Sequence, residues 1–223
     1  MGRGPVDRSL PCGCHGLAWA GAAALESGQA GPRMTVVLVH GGLWEDMAAE
    51  RFWVRPGVVA ALEARGVPVL APDRLPHPRS WADEVAHLLP LLPDEPVTLV
   101  GGSNGCSVAA RIAVEHPDRV GRLVLAWPAT VGDSEVDTLY LAAGVPPELL
   151  AGETLRGLSD VELAQLRRPV AVLPGPADRY HQRSTVDALL ALIAGAVELE
   201  ASPEPPRPEF PPYAASVADS LLR

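Results

Sequence analysis

The chain has 223 residues, enough for one well-buried domain with little room for a second. Its formal net charge of −9 argues against nucleic acid or an anionic membrane surface as the main partner. The cysteines, Cys12, Cys14 and Cys106, form no disulfide framework and lack zinc-site spacing, so we expect neither a metal nor a cofactor. No apolar run is long enough to span a membrane, and we expect a cytoplasmic protein.

Residues 1–33 do not have the pattern of a folded element. They are rich in Gly, Ala, Pro and Ser, and no strand or helix periodicity is sustained. We interpret them as a disordered or mis-assigned leader, because a strand-like run begins immediately after Met34. A weak secretory signal and an ordered extra element are the alternatives.

From residue 34 onward, short apolar runs alternate with helix-like segments. Strands are expected at 35–39, 67–71, 97–100, 123–127, 169–173 and 196–199, and helices at 56–65, 80–92, 107–114, 184–193 and 213–222. This alternation predicts an α/β fold, a mostly parallel, doubly wound sheet with helices on both faces. The polar stretch at about 130–168 interrupts the pattern and predicts a short lid within the domain 34–223.

The segment GGSNG at 101–105 has the setting of a nucleophile elbow. It follows the apolar run 97–100 and opens the helix-like run 107–114, the strand–turn–helix context in which G-x-S-x-G carries a nucleophile. Flanking glycines let strand and helix approach closely around Ser103. Free N–H groups at the helix N-terminus favour an oxyanion there. A glycine-rich turn with an incidental serine is the alternative.

Four pieces in this order resemble the α/β-hydrolase family. They are the strand ending in His40-Gly41-Gly42, the strand ending in Ala71-Pro72-Asp73, the elbow at Ser103, and the strand and loop at 170–178. Together they cover the chain from about residue 34 to its end. The additional antiparallel strands with which the family usually begins are not recognisable here, so the domain looks like a minimal version of the fold.

The resemblance implies a role for each matching residue. Ser103 would be the nucleophile, and the backbone N–H of Asn104, with that of Gly42 or Leu43, would form the oxyanion hole. Asp178 matches the family's acid, which orients a histidine and stabilises it when protonated.

Several neighbouring residues receive weaker assignments from the same resemblance. His40 is expected beside the pocket as a residue that shapes the oxyanion loop, and Trp44 is expected to line the pocket. Asp73 is expected to be structural. Asp133 is an alternative acid, and Asp178 could instead only cap the following helix.

The family's histidine should fall between about Ala201 and Phe210, and no histidine is present there. A serine hydroxyl needs a base within hydrogen-bond reach. The candidates are His181, whose place on the same short loop as Asp178 makes the usual geometry difficult, a desolvated Glu204 or Glu209, and His77. A fourth alternative is that no base exists.

Two classes of function follow from this pattern. The first is a serine hydrolase that acts on a small ester, thioester or related acyl substrate through Ser103, Asp178 and His181. The second is a degenerate hydrolase fold that binds a small molecule or partner, or catalyses a lyase-like step, because fold alone does not determine function. Substrate identity and oligomeric state do not follow from the sequence.

Overall fold

The computed structural model describes residues 34–223, so the predicted leader at 1–33 lies outside the described residues. A six-stranded sheet organises this part of the chain, with the strand order β2-β1-β3-β4-β5-β6 and every neighbouring pair parallel. The strands are β1 Val36–Val39, β2 Val69–Leu70, β3 Val97–Gly102, β4 Val120–Ala126, β5 Val170–Leu173 and β6 Val197–Glu198. The predicted α/β class and doubly wound parallel sheet are confirmed.

Eight α-helices within residues 34–223 connect or follow these strands. They are α1 Val58–Glu63, α2 Trp81–Leu88, α3 Gly105–Glu115, α4 Ser134–Ala142, α5 Pro147–Leu150, α6 Asp160–Leu163, α7 Arg183–Leu192 and α8 Ala214–Leu222. A π-helical segment, Glu50–Val54, precedes α1 and was not predicted, because its two buried aromatic residues are adjacent and show no helical spacing. The edge strands β2 and β6 are shorter than predicted and pair over two residues each.

The apolar core lies on both faces of the sheet, as the alternation of side chains along a strand requires. In β1, Val37 and Val39 belong to the cluster that holds the apolar residues of α2, α3 and α7. The alternate residues Val36 and Leu38 belong to the cluster that holds those of α1 and α8. Burial on both faces leaves only the ends of the sheet for chemistry, and parallel strands bring their carboxyl ends to one edge.

Candidate active site

Ser103 occupies the turn between β3 and α3 in a strained backbone conformation. Its φ is +52°, in the left-handed region that residues with a Cβ rarely adopt. The turn is held from both sides, because the Ser103 N–H donates to the Ala126 carbonyl at 2.9 Å and the Ser103 carbonyl accepts from the Cys106 N–H at 3.0 Å. The hydroxyl is thereby placed at the carboxyl edge of the sheet, at the N-terminus of a helix.

Two glycines let the backbone close tightly around the serine. A Cβ added at Gly101 would lie 2.5 Å from the Gly105 carbonyl oxygen, and one added at Gly105 would lie 2.5 Å from the His40 carbonyl oxygen. Both neighbours are backbone atoms that cannot move aside. The glycine pattern in the sequence therefore corresponds to real close approach between β3, α3 and the end of β1.

The structure brings Ser103, His181 and Asp178 together. Ser103 Oγ lies 3.2 Å from His181 Nε2, and the opposite ring nitrogen, Nδ1, lies 3.1 Å from Asp178 Oδ1. Ser103 and His181 are both buried. An imidazole nitrogen thus lies within hydrogen-bond distance of the serine hydroxyl, and a carboxylate lies on the far side of the ring, which is the geometry that general-base catalysis by a histidine requires.

Asp178 and His181 fit on one loop because Asp178 folds that loop around its own carboxylate. Oδ1 accepts the backbone N–H groups of Tyr180 at 2.9 Å and His181 at 3.0 Å, and the same oxygen meets the imidazole Nδ1. This tight turn points the ring back toward the sheet. The geometric difficulty that we expected for two partners on one loop is absent.

The loop after β6, which was expected to carry the family's histidine, brings a carboxylate to the site instead. Glu204 Oε2 lies 3.2 Å from His181 Nε2, on the nitrogen that also faces Ser103. Arg207 from the same loop donates to Asp178 Oδ2. His181 therefore lies between two carboxylates, and one arginine links the two loops.

These charges set the protonation of the histidine and its acid. Burial disfavours the imidazolium, but Glu204 and Asp178 outweigh it, so the pKa of His181 lies above its ordinary value. Burial also opposes ionisation of Asp178, but the Arg207 hydrogen bond, the His181 charge and backbone N–H donors hold the pKa of that carboxyl below its ordinary value. Both effects favour an ion pair between imidazolium and carboxylate.

The first loop, residues 40–47, faces the serine from the other side, and the buried ring of His40, the first residue of that loop, contacts Arg74. Its Nε2 accepts the Arg74 backbone N–H at 2.9 Å, so its Nδ1 carries the proton and donates to the Gly41 carbonyl at 2.8 Å. Burial, followed by the charge of Arg74, lowers the pKa of His40 to about 4. Because its ring is held in this way, His40 does not line the cavity at Ser103, in contrast to its predicted pocket position.

A buried ion pair holds this loop. The Arg74 guanidinium donates to the carbonyls of His40 at 3.1 Å and Gly42 at 2.8 Å, and Nη2 donates to Glu84 Oε1 at 2.6 Å. This pair was not among the contacts predicted from the sequence. The available signal was the position of Glu84 on the apolar face of α2, beside Trp81, Val85 and Leu88.

The three predicted oxyanion residues, Gly42, Leu43 and Asn104, line the same cavity as Ser103. Within residues 34–223, no hydrogen bond uses the backbone N–H of Gly42, Leu43 or Asn104. Gly42 has a φ of +84°, a conformation open to glycine, which turns the backbone of the first loop. Free N–H groups of this kind are what a developing oxyanion requires.

A cavity of about 480 Å³ opens onto Ser103, a size suited to a small-molecule ligand. Trp44 and Glu45 of the first loop line it, and Tyr140 of α4 and Arg207 line it from other sides. A second groove, of about 510 Å³, lies at Trp81 and does not include the serine. The chemistry of the side chains therefore favours the cavity at Ser103 as the candidate site.

The remaining candidates lie elsewhere. Glu209 is exposed, and His77 is exposed with its ring packed 4.7 Å from that of Trp44. Asp133 caps α4, accepting the N–H groups of the first turn, and Asp73 accepts the N–H of Ala49 at 2.7 Å. None of these four lines the cavity at Ser103.

Two negative findings apply to the described residues, 34–223. They contain no group of three or more His, Cys, Asp or Glu side chains arranged to hold a metal ion. None of their helices is both long enough and apolar enough to cross a membrane.

Comparison with known proteins finds similarity to one family model and to proteins that are named as hydrolases. Residues 36–222 match the model of the alpha/beta hydrolase family. A 2-hydroxymuconate semialdehyde hydrolase from Pseudomonas sp. (strain CF600) is 34% identical over 102 residues, covering 43% of this chain and 36% of the relative. Lipase LipV from Mycobacterium tuberculosis is 32% identical over 145 residues, covering 56% of this chain and 55% of the lipase. The chain thus spans about half or less of the length of these curated relatives.

The fold is shared with solved hydrolase structures. A meta-cleavage product hydrolase from Pseudomonas fluorescens superposes with a TM-score of 0.61 at 19% identity, covering 85% of this chain and 90% of the other. At 19% identity this similarity shows the fold alone.

Proposed function

The chain belongs to the alpha/beta hydrolase family, and we propose that it is a serine hydrolase acting on a small ester, thioester or related acyl substrate. The observation that carries the proposal is the pair of contacts through His181, 3.2 Å to Ser103 Oγ and 3.1 Å to Asp178 Oδ1. Two relatives, named as a hydrolase and a lipase, support hydrolytic chemistry.

The first half of the reaction forms an acyl-enzyme. Ser103 Oγ attacks the carbonyl carbon while its proton passes to His181 Nε2, and the carbonyl π electrons move onto oxygen. The N–H groups of Asn104 and of Gly42 or Leu43 stabilise that oxyanion. The carbonyl then re-forms, the bond to the leaving group breaks, and the leaving group departs with the electron pair. A basic leaving group takes the Nε2 proton as it departs. A leaving group that departs as an anion leaves that proton on Nε2, and the imidazolium gives it to solvent before Nε2 acts as a base again.

The second half releases the acid. Water attacks the acyl carbon, gives a proton to His181 Nε2, and the second tetrahedral intermediate expels Ser103 Oγ, which recovers that proton. The sum is one acyl compound plus one water giving a carboxylic acid and the protonated leaving group. Asp178 holds the imidazole in the required tautomer and stabilises its charged form throughout.

Cavity shape supports a modest substrate. The site is formed by the first loop, by the loops after β5 and β6, and on its remaining side by Val136, Leu139 and Tyr140 of α4. We propose that residues 130–168, which contain α4, α5 and α6, act as the short lid over this cavity. Apolar α4 residues and the Tyr140 hydroxyl then face the acyl or leaving group.

Labelling with a fluorophosphonate probe and turnover of an ester panel test the proposal. Wild type should be labelled, and Ser103→Ala and His181→Ala should lose both labelling and turnover. The matched controls are Ser107→Ala, a buried serine one turn further along α3, and His116→Ala, a histidine at its end; both should retain activity. Folded wild type that is neither labelled nor active would favour a ligand-binding protein on a hydrolase fold.

A further inference from the structure

The Nε2 atom of His181 has two protein partners at the same distance. Ser103 Oγ and Glu204 Oε2 each lie 3.2 Å from it, while Nδ1 meets Asp178. In a Ser-His-Asp triad the acid contacts Nδ1, and Nε2 serves the serine and then the leaving group. Here a second carboxylate lies at the nitrogen that handles every proton of the reaction.

Glu204 is held in this position. The residue is buried, and its main-chain carbonyl accepts the Arg207 N–H at 3.1 Å. Arg207 Nε is 3.9 Å from Glu204 Oε2, too long for a hydrogen bond, and its guanidinium donates instead to Asp178. His181 therefore makes the closer contact with this carboxylate, at 3.2 Å between Nε2 and Oε2.

Other charged groups near His181 do not cancel the effect of Glu204. From its own loop the ring faces Asp178, and from the loop after β6 it faces Glu204 and Arg207. From the first loop Glu45 interacts with Glu204, and burial raises the pKa of Glu45, with Arg51 opposing that effect and the charge of Glu204 adding to it. The cation Arg51 acts on Glu45 and the cation Arg207 donates to Asp178, so the surroundings of the ring still favour a positive charge on it.

We propose that Glu204 competes with the leaving group for the Nε2 proton of His181, and so restricts this site to acyl compounds whose leaving group departs without protonation, such as thioesters and aryl or enol esters. The inference rests on the proposed serine-hydrolase function. It narrows the substrate class by the chemistry of the leaving group.

The reason lies in the two opposite tasks of Nε2. When Ser103 attacks, Nε2 gains a proton, and a carboxylate at 3.2 Å stabilises the imidazolium that forms. When the tetrahedral intermediate collapses, Nε2–H must reach the leaving atom, and the same carboxylate retains the proton. Glu204 therefore strengthens the base and weakens the acid, as Brønsted behaviour requires of one group.

Leaving groups differ in how much they need that proton. A thiolate or phenolate carries its charge on sulfur or on a delocalised oxygen, and it leaves with the electron pair as an anion. An alkoxide is too basic to leave unprotonated. A site with a strong base and a weak acid thus hydrolyses thioesters and aryl esters and discriminates against simple alkyl esters.

The test is a leaving-group series on one acyl group. Acetyl esters of p-nitrophenol, phenol, trifluoroethanol and ethanol, with one acetyl thioester, are compared on wild type, Glu204→Gln and Glu209→Gln. In wild type, log(kcat/KM) should fall steeply with leaving-group basicity. In Glu204→Gln the slope should flatten, with the ethyl ester gaining at least about threefold relative to the p-nitrophenyl ester. Glu209→Gln, the same change at an exposed position of the same loop, should keep the wild-type slope.

A second readout separates this role from a structural one. Removing a neighbouring negative charge moves the acid limb of kcat/KM, measured with the p-nitrophenyl ester, to lower pH by about one unit. If Glu204 only supported the fold, its substitution would reduce kcat/KM for all substrates in parallel and leave the acid limb at the same pH. Thermal unfolding monitors folding, and Glu204→Asp, with a shortened carboxylate, should give an intermediate slope.

The outcomes are distinguishable from failure of the proposed function. Ser103-dependent turnover with parallel leaving-group slopes and unmoved limbs in wild type and Glu204→Gln would overturn the inference alone. Absence of Ser103-dependent turnover and labelling in wild type would overturn the proposed function, and this inference with it.

Discussion

Two buried histidines lie in the two loops that face Ser103, in opposite electrostatic settings. His40, the first residue of the first loop, is 3% exposed, and His181, on the loop after β5, is 5% exposed. Burial of both rings opposes the charged form, yet the pKa of His40 falls to about 4 while the pKa of His181 rises. The difference comes from their neighbours, because Arg74 faces one ring and Glu204 and Asp178 face the other.

The two histidines differ in the hydrogen-bond partners of their ring nitrogens. His40 accepts a backbone N–H, so its lone pair is occupied and the residue is confined to shaping the loop. His181 donates from Nδ1 to a carboxylate, and its Nε2 faces the serine. Burial alone thus says little about whether a histidine is a base; the charges and donors around each ring nitrogen decide it.

The largest effect is expected from Asp178→Asn, which removes one of the two carboxylates that contact the His181 ring. The substitution removes the negative charge at Nδ1 and favours the wrong imidazole tautomer, so kcat/KM for an activated ester should fall by about 10³- to 10⁴-fold. Steady-state kinetics with a p-nitrophenyl ester checks this. Asp133→Asn, at the cap of α4, should keep kcat/KM within about threefold of wild type. A large loss of kcat/KM in Asp133→Asn, with little loss in Asp178→Asn, would show that Asp133 is the acid.

The elbow region was predictable from the sequence because its determinants are local. Ser103 and its flanking glycines lie within five consecutive residues, and the clashes that a Cβ added at Gly101 or Gly105 would make are with backbone of adjoining elements. Asp178 was proposed as the acid through the resemblance to the α/β-hydrolase family, because it follows the apolar strand at 169–173. The order of strands and helices then follows from alternation.

The contacts of Glu204 and Arg207 could not be predicted, for a physical reason. Both lie in a proline-rich loop that lacks the regular side-chain periodicity of a helix or strand, so the sequence pattern does not indicate which way a side chain points. The sequence leaves Glu204 as one of several candidates for the base and indicates no role for Arg207. The Arg74–Glu84 pair was missed because Glu84 sits on an apolar helix face, where a carboxylate is unexpected without its partner.

Glu84→Gln removes the counter-ion of Arg74, the cation that contacts His40. The Arg74–Glu84 pair is buried, and removal of one charge leaves the guanidinium without its counter-ion, which should lower the free energy of unfolding by about 4 kcal/mol. Chemical denaturation measures the loss. Glu115→Gln, in a partly exposed pair with Arg111, should cost no more than about 0.5 kcal/mol. Equal stability of the two variants would mean that the buried pair does not hold the first loop.

Titration of the two rings tests the comparison directly. Followed by NMR of their Hε1 protons, His40 should reach half-protonation near pH 4, and His181 should do so above its ordinary value of 6.5. Coincident titration of the rings would contradict the account of their neighbours. The same pKa difference affects stability, because between pH 6.5 and pH 4 His40 is protonated in the unfolded chain but neutral in the folded protein. The free energy of unfolding therefore decreases as the pH drops from 6.5 toward 4, by about 3 kcal/mol in all.

A variant isolates that contribution of His40 from the titration of carboxylates. Unfolding free energies of wild type and His40→Gln are compared at pH 7 and pH 4.5. The drop between these pH values should be smaller in His40→Gln by about 2 kcal/mol, because the variant has no proton-binding difference at this position. An identical drop in both proteins would show that His40 is not held neutral by the fold.

The smallest effect is expected from Arg207→Gln, which removes the link between the loops that hold His181. The guanidinium donates to Asp178 Oδ2 and lowers the pKa of that carboxyl, so its loss lets Asp178 take up a proton at higher pH. At neutral pH, kcat/KM should fall by about fivefold, equivalent to about 1 kcal/mol, and the deficit should widen as pH decreases. Arg51→Gln is the matched control, since Arg51 lines the same cavity but donates to the Asp46 carbonyl. A deficit that is constant with pH would mean that Arg207 orders the loop without acting through the charge of Asp178.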